Sequence, residues 1–198
     1  MKKKLDGFAK EQIIKTTLLL IDDNGGASNV DLREIARKVG CSAPNIYNYF
    51  NSLDDLLNTA LVRICEDFKD TIQEKTLKTN NTEELILLAF TTFIEYAIDH
   101  PGRLNFYHFE KMKITIVSEA EESAISVGNS MADLLDLGTD HSIPPDKIKA
   151  ICNHIHLYVL GELSEYITGR RKIENKKEYV DNLVAYCKRL FEILIENF

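Results

Sequence analysis

Tryptophan is absent from the 198 residues, and only four prolines and nine glycines interrupt them. Proline and glycine are the strongest breakers of regular structure, so their scarcity leaves long stretches free to run as helix. No stretch shows the sustained apolar/polar alternation of a half-buried strand, and no internal repeat is evident. Apolar runs such as Leu18–Ile21 fall far short of the roughly 20 residues of a membrane helix, so neither a membrane span nor a signal peptide is expected. Cys41, Cys65, Cys152 and Cys187 are scattered and form no C-x-x-C pair. A reduced, cytoplasmic protein with free thiols is the expectation. A Gly-rich phosphate loop, a nucleophile elbow and an H-E-x-x-H pair are also missing. No catalytic residues, no resident metal and no cofactor are therefore expected, and the chain is not read as an enzyme.

What is present is ordinary globular material, with 44% hydrophobic and 28% charged residues. The charge is unevenly spread. Residues 1–50 carry eight Lys/Arg (Lys2, Lys3, Lys4, Lys10, Lys15, Arg33, Arg37, Lys38) and six acids, whereas the rest of the chain is net −9. Phosphate neutralisation is local, so an overall charge of −7 does not exclude a nucleic-acid partner for the basic end.

Helical periodicity starts at about Phe8, with Ile13, Ile14, Thr17, Leu18 and Ile21 on one face, and Gly25-Gly26 stops it. Asp31 is a good N-cap and Glu34 completes a capping-box pattern. Leu32, Ile35, Ala36 and Val39 form the next apolar stripe, and Gly40 breaks it where a left-handed backbone suits glycine. Ser42 is placed to cap a short following helix with Pro44 in its first turn, and Ile46 and Phe50 face inward. Ser52 opens a long helix, with Asp54 and Asp55 in its first turn, that runs to about Leu77. Further helices are predicted over about 83–100, 103–112, 116–137, 146–168 and 176–197. The stretch Gly138–Pro145 reads as loop. The expectation is an all-α chain of about nine helices. An N-terminal three-helix unit, residues 7–67, is joined by the long helix to a helical second domain, residues 68–198.

Two short helices around a glycine turn, over Asp31–Phe50, have the anatomy of a helix-turn-helix, whose second helix enters the major groove. At these residues, L-R-E-I-A-R-K-V-G-C-S-A-P-N-I-Y-N-Y-F, the sequence resembles the TetR family of transcriptional regulators. The preceding helix ending at Gly25, the S-L-D-D-L-L segment and the D-H-P-G turn at Asp99–Gly102 follow the same order. The resemblance implies that Arg33 reaches the DNA from the first helix of the motif and that the Tyr47 hydroxyl bonds a phosphate. It also places Ser42, Ala43, Pro44, Asn45, Asn48 and Tyr49 against bases or flanking backbone. Asn45 and Asn48 have the donor and acceptor that match adenine, whereas Ala43 and Pro44 offer only apolar contact. The Lys2–Lys4 arm would add sequence-independent attraction. The sequence departs from the family pattern at Leu53, where a lysine is usual, and at Ala43, where a polar residue is.

The resemblance further implies a dimer built by the last two helices. The apolar faces of residues 146–168 and 176–197 are wide enough to pack on a core and a partner at once. Phe90, Phe93, Tyr96, Phe106, Tyr107, Phe109 and Tyr158 are candidates for the lining of an effector pocket, with Glu95, Asp99, Glu110 or Glu162 available to meet a cation. An ordinary aromatic core with solvated acids is the competing reading. Cys152 and His156, one helical turn apart with His154 nearby, are too few for a metal site by themselves. The resulting expectation is a dimeric repressor that a small-molecule effector releases from palindromic double-stranded DNA. The alternative is an architectural or partner-regulated DNA-binding protein of the same fold with no small effector.

Overall fold

A computed structural model describes residues 2–79, 81–111 and 114–197, with the side chains of 2–6, 82 and 83 outside that description. The Lys2–Lys4 arm therefore lies outside the described side chains. Among the described residues all regular structure is helical: α1 (Lys2–Asp23), α2 (Leu32–Val39), α3 (Ala43–Ile46), α4 (Leu53–Thr76), α5 (Thr82–Asp99), α6 (Pro101–Leu104), a π-turn (Asn105–Phe109), α7 (Ser118–Gly138), α8 (Pro145–Ile167) and α9 (Lys176–Asn197). No described helix is long and apolar enough to cross a membrane. None of the four cysteines is in a disulfide.

The chain forms two compact units. One comprises residues 1–64 with 100–122, the other 65–99 with 123–198, so one boundary falls inside α4. In the first unit Ile13, Ile14, Leu18 and Ile21 of α1 are buried with Ile35, Ala36, Ile46 and Phe50 of the following helices and with Leu56, Leu57, Ala60, Leu61 and Ile64 of α4. Thr17, fully buried among them, donates its hydroxyl to the Ile13 carbonyl at 2.8 Å. That bond within α1 satisfies a polar group that would otherwise be costly to bury.

The segment after His100 belongs to this first unit. The sequence pattern predicts one short helix over 103–112. The chain instead forms a single α-turn from Pro101 and then a π-turn, closed by the Glu110 amide donating to the Asn105 carbonyl at 2.8 Å. Gly102 is what lets it approach α1. A Cβ there would stand 2.1 Å from the Ile21 carbonyl oxygen and 2.6 Å from the Asp22 Cα. The Asp22 carboxylate accepts from the Arg103 amide (3.2 Å) and from Arg103 Nε (2.9 Å), and lies 3.2 Å from His100 Nδ1. Further along, the Asn58 side chain donates to the Thr115 carbonyl and accepts from the Val117 amide, both at 3.0 Å.

In the second unit α5 and α8 pack on α9. Ile148, Ile151, Ile155, Val159 and Leu163 of α8 are buried, as are Val180, Leu183, Cys187 and Phe191 of α9. Their spacing of three and four residues is the inward stripe of an amphipathic helix. Phe68 meets the rings of Phe93 and Tyr96 edge-on at 6.0 and 5.3 Å, and Phe90 meets Phe191 at 6.2 Å.

Candidate nucleic-acid interface

The helix-turn-helix is built by local chemistry. Asp31 is extended (φ −131°, ψ 156°), and its carboxylate accepts from the Arg33 amide at 2.7 Å and the Glu34 amide at 2.9 Å. It thereby satisfies two donors that start α2. Glu34, the expected second half of a capping box, lies 3.7 Å from Arg37. Gly40 takes the left-handed conformation at φ 79°, and the Cys41 amide returns to the Ala36 carbonyl at 2.9 Å. This is the closing bond of a glycine C-cap. Ser42 occupies the cap position of α3, as its place before Pro44 predicts, but its hydroxyl makes no capping bond.

α3 spans only four residues and then tightens. The Asn48 amide donates to the Asn45 carbonyl at 3.3 Å and the Tyr49 amide to the Ile46 carbonyl at 2.9 Å, both three residues back. So short a helix has no stability of its own. It is held by Ile46 and Phe50, which are buried. Lys10 Nζ stands 5.4 Å from the centre of the Phe50 ring, a cation–π contact that ties α1 to the end of the motif.

With Ile46 and Phe50 turned inward, the neighbouring side chains turn outward. Arg33, Ser42, Pro44, Asn45, Tyr47 and Asn48 are exposed, while Ala43 and Tyr49 are half-buried. Tyr47 is 56% exposed, unusual for a large aromatic with an apolar core close by. The arrangement presents amide, hydroxyl and guanidinium groups on a short rigid support. Among the basic residues, Lys38 is paired with Asp23 at 2.8 Å, while the Arg37 side chain is 73% exposed.

The remaining candidates are more dispersed. Phe90, Phe93, Tyr96 and Tyr158 lie in the second unit, and Phe106, Tyr107 and Phe109 in the first. Phe90 and Phe106 are buried, and Phe109 is exposed. The four candidate acids all have partners within their own unit. Glu95 bonds Lys75 at 2.6 Å, Asp99 bonds Lys176, Glu110 accepts from the Ala27 amide at 2.7 Å, and Glu162 bonds Arg171 at 2.9 Å. On α8, burial pushes the Cys152 thiol up to about 11 and holds the His156 imidazole below its usual range. The His156 ring lies 4.9 Å from that of Phe93. Among the described residues, no group of three or more His, Cys, Asp or Glu gathers closely enough to hold a metal ion.

The sequence pattern gives no sign of Asn105 or Asn58, and it offers Glu110 only as an acid that could meet a cation. Each bonds residues 57–83 positions away in the chain, and each looks in sequence like an ordinary polar loop or helix residue.

A left-handed glycine between two short helices, with the second helix's polar residues turned out, defines a helix-turn-helix of the DNA-binding class. The sequence model of the family described as "Bacterial regulatory proteins, tetR family" matches residues 13–60, which take in α1 to α3 and the start of α4. Over those residues, the helix-turn-helix region of the chain is similar to the TetR family. An uncharacterised helix-turn-helix transcriptional regulator of Mycobacterium tuberculosis is 25% identical over 100 residues, 50% of this chain and 45% of that protein. The nucleoid occlusion factor SlmA of Actinobacillus pleuropneumoniae is 26% identical over 102 residues, 52% of this chain and 50% of that one. The chain thus spans about half the length of the curated relatives it matches. Among solved structures, a tetR-family transcriptional regulator from Streptomyces coelicolor superposes with a TM-score of 0.76 at 17% identity, covering 97% of this chain and 84% of that one. The transcriptional regulator FadR from Bacillus subtilis, solved with stearoyl-CoA, superposes with a TM-score of 0.66 at 15% identity, covering 95% and 98%. At these identities the likeness establishes a shared fold.

Proposed function

We propose that the protein is a dimeric transcriptional repressor that a small-molecule effector releases from a palindromic operator. The observation that carries DNA binding is the outward set Arg33, Asn45, Tyr47 and Asn48 on a motif whose inward residues are buried. Asn45 and Asn48 read base edges, adenine best. Tyr47 and Arg33 bond phosphates and set the register. Ala43 and Leu53 narrow the polar contact set, leaving more of the recognition to the two asparagines.

The dimer is supported by the second unit's surface. Leu157 on α8 is 57% exposed and Tyr186 on α9 is 64% exposed, with Ile193 also exposed. Gly161, one turn beyond Leu157, has nothing within 4 Å of where a Cβ would stand. Exposed apolar residues beside an open glycine form a surface on which a second copy's helices can pack closely. Two-fold symmetry would then match two half-sites about 34–36 Å apart. Effector release is supported by the fold shared with FadR of Bacillus subtilis, solved with stearoyl-CoA. An effector bound by the second domain would act along α4, changing the spacing of the two recognition helices. A cytoplasmic location follows from this role.

Selection from random-sequence duplexes tests the reading directly. A two-fold symmetric consensus is expected, bound by a species of twice the chain mass in sedimentation. An asymmetric half-site bound by a monomer would remove the dimer. An effector that releases DNA must also bind more weakly in the presence of saturating operator, by the same factor. The second reading, a DNA-binding protein controlled by a protein partner without a small effector, is favoured by the similarity to the nucleoid occlusion factor and by the internal pairing of all four candidate acids.

A further inference from the structure

The chain from Asn24 to Val30 joins α1 to α2 and sets the direction in which the helix-turn-helix leaves α1. Its first amides find acceptors behind them: Asn24 to the Leu20 carbonyl at 2.9 Å, Gly25 to Asp22 at 3.2 Å and Gly26 to Ile21 at 2.8 Å. The pattern then changes hands. The Ala27 amide donates to Glu110 Oε2 at 2.7 Å, and the Gly25 carbonyl accepts from Asn105 Nδ2 at 2.7 Å. Two backbone groups of the turn are thus held by side chains 80 and more residues away. The first is a short charge-assisted bond, the stronger kind.

Two further features belong to the same contact. Gly26 has φ +152°, and a Cβ on it would stand 2.8 Å from Glu110 Oε2 and 3.0 Å from Asn105 Nδ2. The space a side chain would need is filled by the clamping pair. The π-turn explains why these two residues reach the same turn. In an α-helix, residues five apart point about 140° away from each other. The wider turn, closed by the Glu110 amide on the Asn105 carbonyl, brings them to one side.

From the turn to the reading surface the connection is rigid. Val30, one residue before the Asp31 cap, is buried, and Ala27 with it. α2 and α3 share the core of Ile35, Ala36 and Ile46 and are locked by Gly40. A rotation at Gly25–Ala27 therefore moves Asn45 and Tyr47 as a body. We propose that Glu110, with Asn105, is a positioning residue for DNA binding, holding the α1–α2 turn at the angle that presents the recognition helix. The inference rests on the DNA-binding reading above.

Its sign sets it apart from electrostatics. Removing an acid from a DNA-binding unit lowers repulsion from phosphate, so on charge alone Glu110→Ala would tighten binding. Positioning requires the opposite. The full-length chain and the duplex enriched by the wild type from random-sequence DNA supply the test, with affinity followed by fluorescence anisotropy. Glu110→Ala should weaken binding by about tenfold or more, on the scale of a lost hydrogen bond to a charged group. Glu110→Gln keeps an oxygen acceptor and should recover part of the loss, and Asn105→Ala should weaken binding less than Glu110→Ala. Glu119→Gln, which removes an exposed acid of the same unit, should bind as tightly as the wild type or more so. Equal or tighter binding by Glu110→Ala and Asn105→Ala would overturn the proposal. So would identical weakening by the alanine and glutamine variants, because a fold lesion shows no rescue. If Glu110→Ala does not fold, Glu110→Gln and Asn105→Ala decide. A wild type that enriches no duplex fails the DNA-binding reading itself, whereas a wild type that binds beside unaffected variants fails only the clamp.

Discussion

The two compact units use their side chains in opposite ways. In the first, the framework turns inward and the chemistry turns outward: Ile35, Ile46 and Phe50 are buried while Asn45, Tyr47 and Asn48 are exposed. In the second, the polar chemistry is largely spent on the unit itself. Glu95 is tied to Lys75, Asp99 to Lys176 and Glu162 to Arg171, and the aromatics Phe68, Phe90, Phe93 and Tyr96 pack on rings of the same unit. The difference teaches where a role can be read. A surface that must meet a regular, charged polymer has few ways to be built, and its parts are local. A cavity or partner face can be assembled from almost any apolar residues, and its parts are distant in the chain.

The sharpest way to break this comparison is to remove the framework beneath the reading surface. Ile46→Ala empties a fully buried site beneath a four-residue helix whose other anchor is Phe50. Denaturant unfolding should show a loss of about 2–5 kcal/mol, and DNA binding should vanish well before the unit melts. A variant that lost that stability and still bound DNA at full affinity would show that α3 does not depend on its core.

The outward residues should divide the opposite way, changing recognition with no cost in stability. Asn45→Ala should alter the consensus recovered from random DNA, with about 1–3 kcal/mol of discrimination lost at one base pair. The same consensus from both proteins would take Asn45 off the base edges. Tyr47→Phe removes only a hydroxyl from an exposed ring. It should weaken binding to operator and scrambled duplex alike, by about 1–2 kcal/mol, because a phosphate contact carries no sequence information. Unchanged affinity for both duplexes would remove Tyr47 from the interface.

How much was legible follows the same division. Asp31, Gly40 and Ser52 announced helix boundaries because caps and left-handed turns are decided within a few residues, and the structure uses Asp31, Gly40 and the Ser52 hydroxyl, which accepts from the Asp55 amide at 3.1 Å. The alternation of Ile46 and Phe50 with polar neighbours marked the outward face for the same reason. The segment after His100 was not legible. His100-Pro101-Gly102 reads as a stop, and nothing local says that Gly102 makes room for α1 or that Asp22 waits there for Arg103. Periodicity predicted a plain helix over 103–112. The π-turn depends on where Asn105 and Glu110 find acceptors and donors, 80 and 83 residues away. Such bonds are set by tertiary context, which a single sequence does not display.

The smallest expected effect concerns a charge pair of the first unit that has a pH signature. Glu11 on α1 takes a two-pronged bond from Arg63 on α4, at 2.6 and 2.9 Å, with Lys15 3.7 Å away. The hydrogen bond from Arg63 is the main reason the Glu11 carboxyl sits below its ordinary value of 4.5. A carboxyl whose folded pKa is depressed adds stability above its unfolded pKa and loses it as the pH falls through the folded one. The contribution should therefore be complete at pH 7 and disappear below about pH 4.5. Both side chains keep a quarter to a third of their surface in solvent, 25% for Arg63 and 32% for Glu11. Screening then limits the effect to about 1 kcal/mol or less. Glu11→Gln and the wild type, unfolded in urea at a series of pH values, should differ at pH 7 and converge towards pH 3. A gap that stayed constant across that range would assign the contact's value to packing of the two stems, and the charge would play no part in joining α1 to α4.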